Sequence, residues 1–415
     1  MKLTVGGERG DGFGVVIDGQ AANQAERLPA GAQAFERQAK SRVAAGQSGE
    51  EFCFAYQEIL VQLAETSIHF GLKIFVRRSQ YQGMNNAPPL NIENAAELVG
   101  YLRGHGHVGK DENPRITILA GGVSNRTVLV ERENGAGWVL KQALEKLRVA
   151  ADWFSSPARI HREALGLRWI GELTPGATPR FLFEDHGAHF LAMEAVPRPH
   201  ENWKSILLRG DVAGDLVAQF GRLLGTIHRG AKGRRDELEP VFRDVSFFES
   251  LRLEPYYAYT AAQTKEAEPF LLALIAETLA TRSTLVHGDF SPKNILARNG
   301  RLILLDHEVI HWGDPAFDLG FALTHFLSKA HHLREHRERF VAAAHGFWKN
   351  YDDKSCEERA VRHTLACLLA RVDGRSPLEY LDADERRRQR AAALALMSAL
   401  PGGMDDLIEK FIACL

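Results

Sequence analysis

The chain has 415 residues, 45% of them hydrophobic, which is enough apolar sequence for two large lobes or two to three domains. Its formal net charge of -2 argues against a nucleic-acid-binding or membrane-surface protein. No apolar run reaches the roughly 18 to 20 residues that span a bilayer, and the N-terminus lacks a signal pattern, so we predict a cytoplasmic protein. The four cysteines lack C-x-x-C spacing, which is typical of reduced thiols.

Residues 1–88 differ in composition from the remainder. They begin with a glycine-rich stretch, contain an amphipathic candidate helix over residues 50–70, and end in a predicted linker at residues 85–89. This pattern predicts an N-terminal extension of unknown structure. An accessory element, a disordered extension and sequence upstream of the true start all fit it.

Residues 90–197 alternate between short helices and strands. A helix is predicted over residues 92–103, and strands over residues 115–119, 127–131 and 138–142, with a turn at Gly121 and Gly122. Ser155, Ser156 and Pro157 are predicted to open a helix with an apolar stripe. Residues 181–184 and 190–194 then form a predicted strand pair.

The remaining residues, 198–415, are predicted to be mostly helical. Helices are expected near residues 212–229, 266–281, 314–327, 333–349, 360–372 and 384–400. Between the second and third of these helices, residues 283–286 form a predicted strand and residues 294–305 a predicted hairpin with its turn at Asn299 and Gly300.

The residues from His287 to Asn294, with the apolar run that ends in Asp306, indicate the chemistry. ATP-dependent phosphoryl transfer needs an aspartate that orients the attacking hydroxyl and accepts its proton. It also needs an asparagine a few residues later and an aspartate after a strand, both of which hold Mg²⁺. Asp289, Asn294 and Asp306 occupy these three places. Their combination predicts a kinase that uses ATP and Mg²⁺.

The motif reads H-G-D-x-x-x-x-N followed by D-x-E, where protein kinases have H-R-D and D-F-G. It resembles the aminoglycoside phosphotransferase and choline kinase superfamily of small-molecule kinases, as does the string G-D-P-A-F-D-L-G at residues 313–320. The resemblance implies an α+β, bilobal, protein-kinase-like fold. Residues 90–197 would be an N-lobe with a small antiparallel sheet, and residues 198–415 a mostly helical C-lobe with the catalytic loop. Residues 1–88 lie outside the resemblance.

The same resemblance implies roles for further residues. Lys141 would be the lysine that aligns the ATP phosphates, and Glu163 its ion-pair partner. The glycine turn would offer backbone N–H groups to the phosphates through Gly121, Gly122, Ser124 and Asn125. Considered alone, the two glycines also fit an ordinary hairpin turn, and Glu163 also fits a solvated glutamate on a helix surface.

The remaining implied roles concern adenine, metal and loop geometry. Glu194 and Val196 would contact adenine through the main chain, although an ordinary edge strand fits them equally well. Glu308 is a weaker metal candidate beside Asn294 and Asp306. His287 and Asp318 would brace the catalytic loop.

The phosphate acceptor is predicted to be a small molecule with a hydroxyl group. Residues 311–400 hold 13 acidic and 14 basic residues, which favours a sugar or amino alcohol over a polycationic aminoglycoside. Arg371 and Asp373 are predicted substrate contacts, because loops on a rigid scaffold often carry specificity. A helix end with Gly374 in the left-handed conformation explains them equally well.

The N-lobe resembles methylthioribose kinases over Lys141 to Leu144, Trp153, Arg159 and Glu163. Those kinases lack the asparagine present here as Asn294, so their substrate does not transfer directly.

Three alternatives stay open: an aminoglycoside kinase, a nucleotide-binding pseudokinase and a metal-dependent hydrolase. The hydrolase would use five metal ligands, namely His287, Asp289, Asp306, His307 and His311. It leaves Lys141 and Glu163 unexplained, whereas a pseudokinase does not need Asp289 and both Mg²⁺ ligands. The sequence does not determine the oligomeric state.

Overall fold

A computed structural model describes residues 2–6, 12–18, 73–76, 90–119, 122–148 and 153–415. These residues belong to two compact units, Met1–Pro88 and Pro89–Leu415. In the first unit, β1 (Lys2–Gly6), β2 (Gly12–Asp18) and β3 (Lys73–Val76) pair in that order as an antiparallel sheet. These strands were not predicted from the sequence. The helix predicted over residues 50–70 lies outside the described residues.

The second unit begins with a small lobe built on a five-stranded antiparallel sheet of order β4-β5-β6-β8-β7. Its elements are α1 (Ala95–Gly104), β4 (Arg115–Ile118), β5 (Asn125–Glu131), β6 (Gly137–Ala143), α2 (Arg159–Leu173), β7 (Phe181–Asp185) and β8 (Phe190–Glu194). Asn94 caps α1 by accepting hydrogen bonds from the backbone of the first turn.

The sheet has a different helix on each face. Leu140 and Ala192 pack in a buried cluster with α1, whereas Leu191 and Met193 pack in a cluster with α2. Since successive side chains of a strand point to opposite faces, Lys141 projects toward α2.

Helix α2 begins at Arg159, later than predicted from Ser155, Ser156 and Pro157. Its N-cap residue makes no side-chain capping bond. The buried Arg159 guanidinium instead donates to the backbone oxygens of Ser155 and Ser156. These bonds hold the preceding residues outside the helix.

The large lobe is mostly helical, as predicted. Its helices are α3 (Trp203–Leu208), α4 (Gly214–Lys232), α5 (Arg235–Phe242), α6 (Ser246–Phe248), a π-helix (Glu249–Ala258), α7 (Tyr259–Gln263), α8 (Glu268–Ala280), α9 (Pro315–His332), α10 (Arg337–Asn350), α11 (Glu357–Asp373), α12 (Ala383–Ser398) and α13 (Met404–Ala413). Its strands are β9 (Glu201–Asn202), β10 (Thr284–Val286), β11 (Ile295–Arg298), β12 (Arg301–Leu304) and β13 (His311–Gly313). The π-helix, strand β9, the pairing of β10 with β13 and five helices, namely α3, α5, α6, α7 and α13, were not predicted from the sequence.

Helix α9 is the centre of the large lobe, since 17 of its residues are buried. A Cβ atom at Gly320 would lie 2.6 Å from the backbone nitrogen of Thr364 on α11, which allows these two helices to approach closely. In the described part of the chain, no helix is both long enough and apolar enough to cross a membrane. The second unit therefore has the bilobal, protein-kinase-like α+β fold expected from the sequence.

Two buried histidines of the large lobe make its stability sensitive to acid. Burial lowers the pKa of His311 to about 4 and that of His363 to about 4. Because the unfolded chain binds protons near pH 6.5, the stabilisation from these neutral side chains is present above that pH and is lost as the pH falls. Going from pH 7 to pH 5 should lower the free energy of unfolding by about 2 kcal/mol per histidine.

Urea denaturation of the full chain at pH 7 and pH 5 measures this difference. His363→Gln should make the dependence between these pH values shallower. An equal stability of the parent protein at both pH values would contradict the prediction.

Candidate active site

The catalytic loop lies between β10 and the short 3₁₀ turn Pro292–Asn294 that precedes β11. Gly288 has φ +76°, a left-handed conformation that favours glycine. The Asp318 carboxylate on α9 accepts hydrogen bonds from the backbone nitrogens of His287, at 2.7 Å, and Gly288, at 2.8 Å. His287 accepts a bond from the backbone of Asp289 through Nδ1. His287 and Asp318 thus have the geometry of residues that hold the loop.

Asp289 is fully buried, and three side chains surround one of its oxygens. Oδ2 lies 2.8 Å from Nη2 of Arg252 and 3.0 Å from Nζ of Lys293, and it accepts a 2.7 Å hydrogen bond from Nδ2 of Asn294. Burial raises the pKa of Asp289, but the charges of Arg252 and Lys293 outweigh it, so the pKa is lowered. Oδ1 has no hydrogen-bond partner among the described residues.

Lys141 joins the two lobes. Its ammonium group donates to both oxygens of Glu163 on α2, at 2.6 and 2.8 Å, and to Oδ1 of Asp306, at 2.6 Å. The sequence predicted the pair with Glu163, but the simultaneous contact with Asp306 was not predicted. The structure therefore brings the predicted phosphate lysine, its partner acid and the predicted metal aspartate to one point.

The three charges stabilise one another because they share a buried environment. Burial lowers the pKa of Lys141, but the charges of Asp306 and Glu163 raise it by more. The net shift is upward, so the lysine stays charged. Burial raises the pKa of Asp306, whereas Lys141 and then Lys293 lower it more, and the net shift is downward. Burial raises the pKa of Glu163, and Lys141 opposes that shift only in part.

The backbone around Asp306 has an unusual conformation. Asp306 has φ +67°, which is uncommon for a residue with a side chain. The next residue, His307, packs directly on α2, since a Cβ atom at Gly166 would lie 2.4 Å from Cβ of His307. This close approach places Asp306 beside the part of α2 that carries Glu163.

Asn294 lies just before the hairpin formed by β11 and β12, and Asp306 lies just after it. The backbone nitrogen of Leu305 donates to the backbone oxygen of Asn294 at 2.8 Å. Nδ2 of Asn294 donates to Asp289, which leaves its Oδ1 without a hydrogen bond from the described residues. Oδ2 of Asp306 is likewise free of such a bond. Both side chains thus keep one oxygen for a ligand.

Glu308, the weaker metal candidate, lies beside an arginine of α2. Its Oε2 is 3.2 Å from Nε of the buried Arg159 and 3.5 Å from Nδ2 of Asn125. Arg159 also donates to the backbone oxygen of Ser124. Arg159 matches the charge of Glu308, but Oε1 of Glu308 accepts no hydrogen bond from the described residues, so its weaker metal assignment stays a prediction.

Ser124 and Asn125 belong to the predicted phosphate turn. Both residues are buried, and the hydroxyl of Ser124 accepts a hydrogen bond from Asn125 at 3.1 Å. Gly122 lies near the start of β5, and a Cβ atom there would lie 3.3 Å from the backbone oxygen of Asn125. Gly121 lies outside the described residues. The phosphate contacts of this turn remain a prediction.

Glu194 and Val196 lie at the junction of the lobes, beside a cavity of about 600 Å³. The cavity is also lined by α2 and by the segment that follows it, including Gly171 and Thr178. Glu194 forms an ion pair with the exposed Arg180. Lys141, the predicted phosphate lysine, does not line this cavity. The adenine contacts of Glu194 and Val196 remain a prediction.

Arg371 and Asp373 are at the end of α11, but not in an exposed loop as predicted. Arg371 is buried, and its Nη1 donates to the hydroxyl of Tyr256 at 3.0 Å. Asp373 accepts hydrogen bonds from Thr264 and from Arg390. Its carboxylate is thus occupied by the protein, which argues against a substrate contact.

The alternative explanation for Arg371 and Asp373, a helix end with Gly374 in the left-handed conformation, is wrong about the backbone of Gly374. Gly374 has φ -83° and is extended, not left-handed. A Cβ atom at Gly374 would lie 2.4 Å from the backbone oxygen of Ala370. Close packing, and not a positive φ, explains the glycine.

The histidines required by the hydrolase alternative do not form a metal site. His307 bonds to Thr178 at 2.9 Å, and Nδ1 of His311 lies 3.0 Å from the backbone oxygen of Val309. Among the described residues, the group whose ligand atoms lie close enough to hold a metal ion is instead His161, Glu184 and His186, in the small lobe.

Arg252 and Arg159 contact predicted site residues, but no role was predicted for them from the sequence. Arg252 lies on the π-helix, where no recognised motif marks it, and it donates to the backbone oxygen of Gly288 as well as to Asp289. Arg159 was noted as part of a resemblance but was given no role. Only tertiary contacts identify the function of either arginine.

A buried acid held by cations, a lysine between two carboxylates and a bilobal fold define a kinase with a protein-kinase-like architecture. The chain belongs to the phosphotransferase enzyme family, whose model matches residues 115–332, and it is a kinase of small molecules.

Several curated relatives are methylthioribose kinases. That of Yersinia enterocolitica is 25% identical over 399 residues, which cover 76% of this chain and 97% of the relative. That of Pectobacterium atrosepticum is 24% identical over 261 residues, or 56% of this chain and 65% of the relative.

Solved structures with a similar chain include an amicoumacin kinase, at 16% identity and a TM-score of 0.47 over 70% of this chain and 89% of that one. Another is the choline kinase of Streptococcus pneumoniae, at 16% identity and a TM-score of 0.45 over 73% of this chain and 99% of that one.

Arg252→Gln tests how Asp289 is held. Removing this charge should raise the pKa of Asp289, so the acidic limb of the pH–rate profile should move to higher pH. The maximal turnover should fall about tenfold or more, while the KM for ATP changes little. The pH dependence of kcat measures both effects.

Arg375→Gln is the matched control, because Arg375 forms an exposed ion pair with Glu254. It should leave the profile unchanged. An acidic limb that does not move in Arg252→Gln would contradict the assigned role.

Proposed function

We propose that the protein transfers the γ-phosphate of ATP to a hydroxyl group of a small molecule, with Mg²⁺. The observation that carries this proposal is the position of Lys141, which bonds to Glu163 and Asp306 at once. A lysine with a helix glutamate on one side and a metal aspartate on the other is the arrangement that aligns nucleotide phosphates in kinases.

Asn294 and Asp306 are the proposed Mg²⁺ ligands. Mg²⁺ prefers oxygen ligands, and each of these side chains has an oxygen without a hydrogen bond from the described residues. Asn294 is held in orientation by its bonds to Asp289, so its amide oxygen faces away from that carboxylate. When bound, Mg²⁺ would offset the negative charge of the phosphates.

Asp289 is the proposed base. Its Oδ1 is the carboxylate oxygen without a hydrogen-bond partner, while Oδ2 is fixed by Arg252, Lys293 and Asn294. The acceptor oxygen forms a bond to the γ-phosphorus, the bond from that phosphorus to the bridging oxygen of ADP breaks, and the hydroxyl proton passes to Asp289. Since phosphoryl transfer depends mainly on position and charge, a base with a lowered pKa is adequate.

Lys141 must exchange one partner when ATP binds. Its contact with Asp306 uses an oxygen of a predicted metal ligand, so binding of the phosphates would draw the ammonium group away from Asp306. The contact with Glu163 would remain and would keep the lysine directed toward the phosphates.

The proposed acceptor is a sugar or an amino alcohol, and a methylthioribose-like sugar is supported by the names of the curated relatives. An ATP-dependent reaction also fits the predicted cytoplasmic location. We further propose that the kinase unit extends from about residue 90 to residue 415, with residues 1–88 as an extension that supplies no ATP or metal ligand.

Asp289→Asn should reduce turnover a hundredfold or more and leave nucleotide binding intact, because a base is lost without the loss of a nucleotide contact. Asp306→Ala should instead abolish the Mg²⁺ dependence of nucleotide binding. Turnover is measured by ADP release over a panel of sugars and amino alcohols, and binding by titration with ATP.

Asp352→Asn is a matched control on the surface, since Asp352 is exposed and pairs with Arg229. It should behave as the parent protein does. Full turnover in Asp289→Asn would refute its role as base, and the absence of ADP release with every acceptor would favour the pseudokinase alternative.

Deletion of residues 1–85 tests the proposed boundary. The shortened chain should fold and bind ATP with the affinity of the full chain, since the residues that we assign to ATP and Mg²⁺ all lie beyond residue 90. Circular dichroism and ATP titration measure the two properties. Loss of ATP binding in a folded, shortened chain would show that the extension contributes to the site.

A further inference from the structure

Two cations in the core of the large lobe have no acidic partner among the described residues. Lys329 on α9 is 0% exposed and Arg371 on α11 is 7% exposed. Among the described residues, no carboxylate oxygen lies within 4 Å of either side chain's nitrogens. Burying an unpaired charge is expensive, so a native protein supplies a counter-charge, binds one, or shifts the pKa of the group toward its neutral form.

The contacts that the protein does provide are neutral. Nζ of Lys329 donates to the backbone oxygen of His325 at 3.3 Å and lies 5.3 Å from the ring centre of Tyr380. Nη1 of Arg371 donates to the hydroxyl of Tyr256 and to the backbone oxygen of Ser376. These acceptors satisfy hydrogen bonds but do not neutralise charge.

Several buried polar atoms around the two cations also lack partners. Nε of Arg371, Nε2 of His325 and the hydroxyl of Tyr380 make no hydrogen bond with any of the described residues. Most of these groups are hydrogen-bond donors or can act as such. A group of unpaired donors beside unpaired cations is what an anionic ligand requires.

The nearest acid does not fill this need. Glu379 forms an ion pair with Lys204, which is itself a third cation of the region. Burial and the charges of Lys204 and Arg371 lower the pKa of Lys329 to about 7, although Glu379 opposes them. The net field around Lys329 is therefore positive.

This basic cluster, Lys204, Lys329 and Arg371, adjoins the catalytic loop. Lys293 lies 3.0 Å from Asp289, and its charge reaches His325, where it contributes to lowering the pKa of that histidine. Asn202, next to α3, donates to the backbone oxygen of Lys293 at 2.7 Å.

A second path leads from the catalytic aspartate to the same cluster. Arg252, which contacts Asp289, lies one turn before Tyr256 on the π-helix. Tyr256 in turn bonds to Arg371. The π-helix thus carries both the arginine that contacts Asp289 and the tyrosine that bonds to Arg371.

We propose that Lys329 and Arg371 bind an acidic group of the phosphate acceptor, so that the substrate is an alcohol that also carries a carboxylate or a phosphate. This proposal rests on the proposed phosphoryl transfer to a hydroxyl group, and it replaces the neutral, methylthioribose-like sugar or the amino alcohol as acceptor with an acidic alcohol. The balanced charge count of residues 311–400 does not decide the acceptor, because it includes surface charges that lie far from the bound substrate. An acidic acceptor also excludes a polycationic aminoglycoside, which the cluster would repel.

Binding is tested first, without turnover. The full chain is saturated with MgADP so that added anions do not occupy the nucleotide phosphate site, and its melting temperature is measured with glycerate, glycerol 3-phosphate or glycerol. At least one of the two acids should raise the melting temperature by about 2 °C or more, whereas glycerol should not. The two acids distinguish a carboxylate site from a phosphate site.

Lys329→Met and Arg371→Gln should each abolish the shift, while the exposed Arg375→Gln should retain it. Without an added anion, Lys329→Met should melt at or above the temperature of the parent protein, because an unpaired buried charge is removed. Absence of a shift with both acids, a shift that survives both substitutions, or a lower melting temperature of Lys329→Met without anion would overturn the proposal. Lys329→Gln, which keeps a polar side chain, gives a second variant if methionine impairs folding.

Turnover then separates this proposal from the broader one. With the same acceptors and their neutral counterparts, kcat/KM should be at least tenfold higher for an acid. Lys329→Met should raise the KM for that acid and leave the KM for ATP unchanged. Turnover of neutral alcohols with equal efficiency would overturn the acidic acceptor and leave the kinase intact, whereas a lack of ADP release with every acceptor tested would count against the kinase itself.

Discussion

The structure of the site depends on the burial of charge at the junction of the lobes. Lys141 extends from the sheet of the small lobe to a glutamate of α2 and to the aspartate that follows β12. Each of these groups would be costly alone in a buried place, and together they are stable. The ion pair therefore holds α2, the sheet and the large lobe in one arrangement, and it places the predicted metal aspartate beside the predicted phosphate lysine.

Helix α9 performs the corresponding task within the large lobe. Near its start, Asp318 accepts two backbone hydrogen bonds from the catalytic loop. Two to three turns later, the same buried helix carries His325 and Lys329, which belong to the proposed acceptor region. A single rigid element thus relates the position of Asp289, the proposed base, to the group that would select the substrate. Substrate choice and catalysis then share one scaffold.

Much of the reaction chemistry followed from local spacing. Asp289, Asn294 and Asp306 lie within one loop and one hairpin, so their separation along the chain fixes their separation in space. The long periodic helices were also predicted, because their apolar stripes are visible in the sequence. The π-helix and helices α3, α5, α6, α7 and α13 were not. The first four of these α-helices have only three to eight residues, which is too few to show a periodicity, whereas α13 has an apolar stripe of Met404, Leu407, Ile408 and Phe411 that the sequence analysis missed.

The sequence by itself determined which residue types could move a phosphate and, through the alternation of β6, on which face Lys141 would lie. Only the tertiary structure decided where the charges are paired. It placed Arg252 against Asp289, Arg159 against Glu308 and the carboxylate of Asp373 against Arg390, and it left Lys329 and Arg371 without an acid. Pairing of charges depends on contacts between residues up to 175 positions apart, as for Lys204 and Glu379, and local patterns carry no record of such contacts.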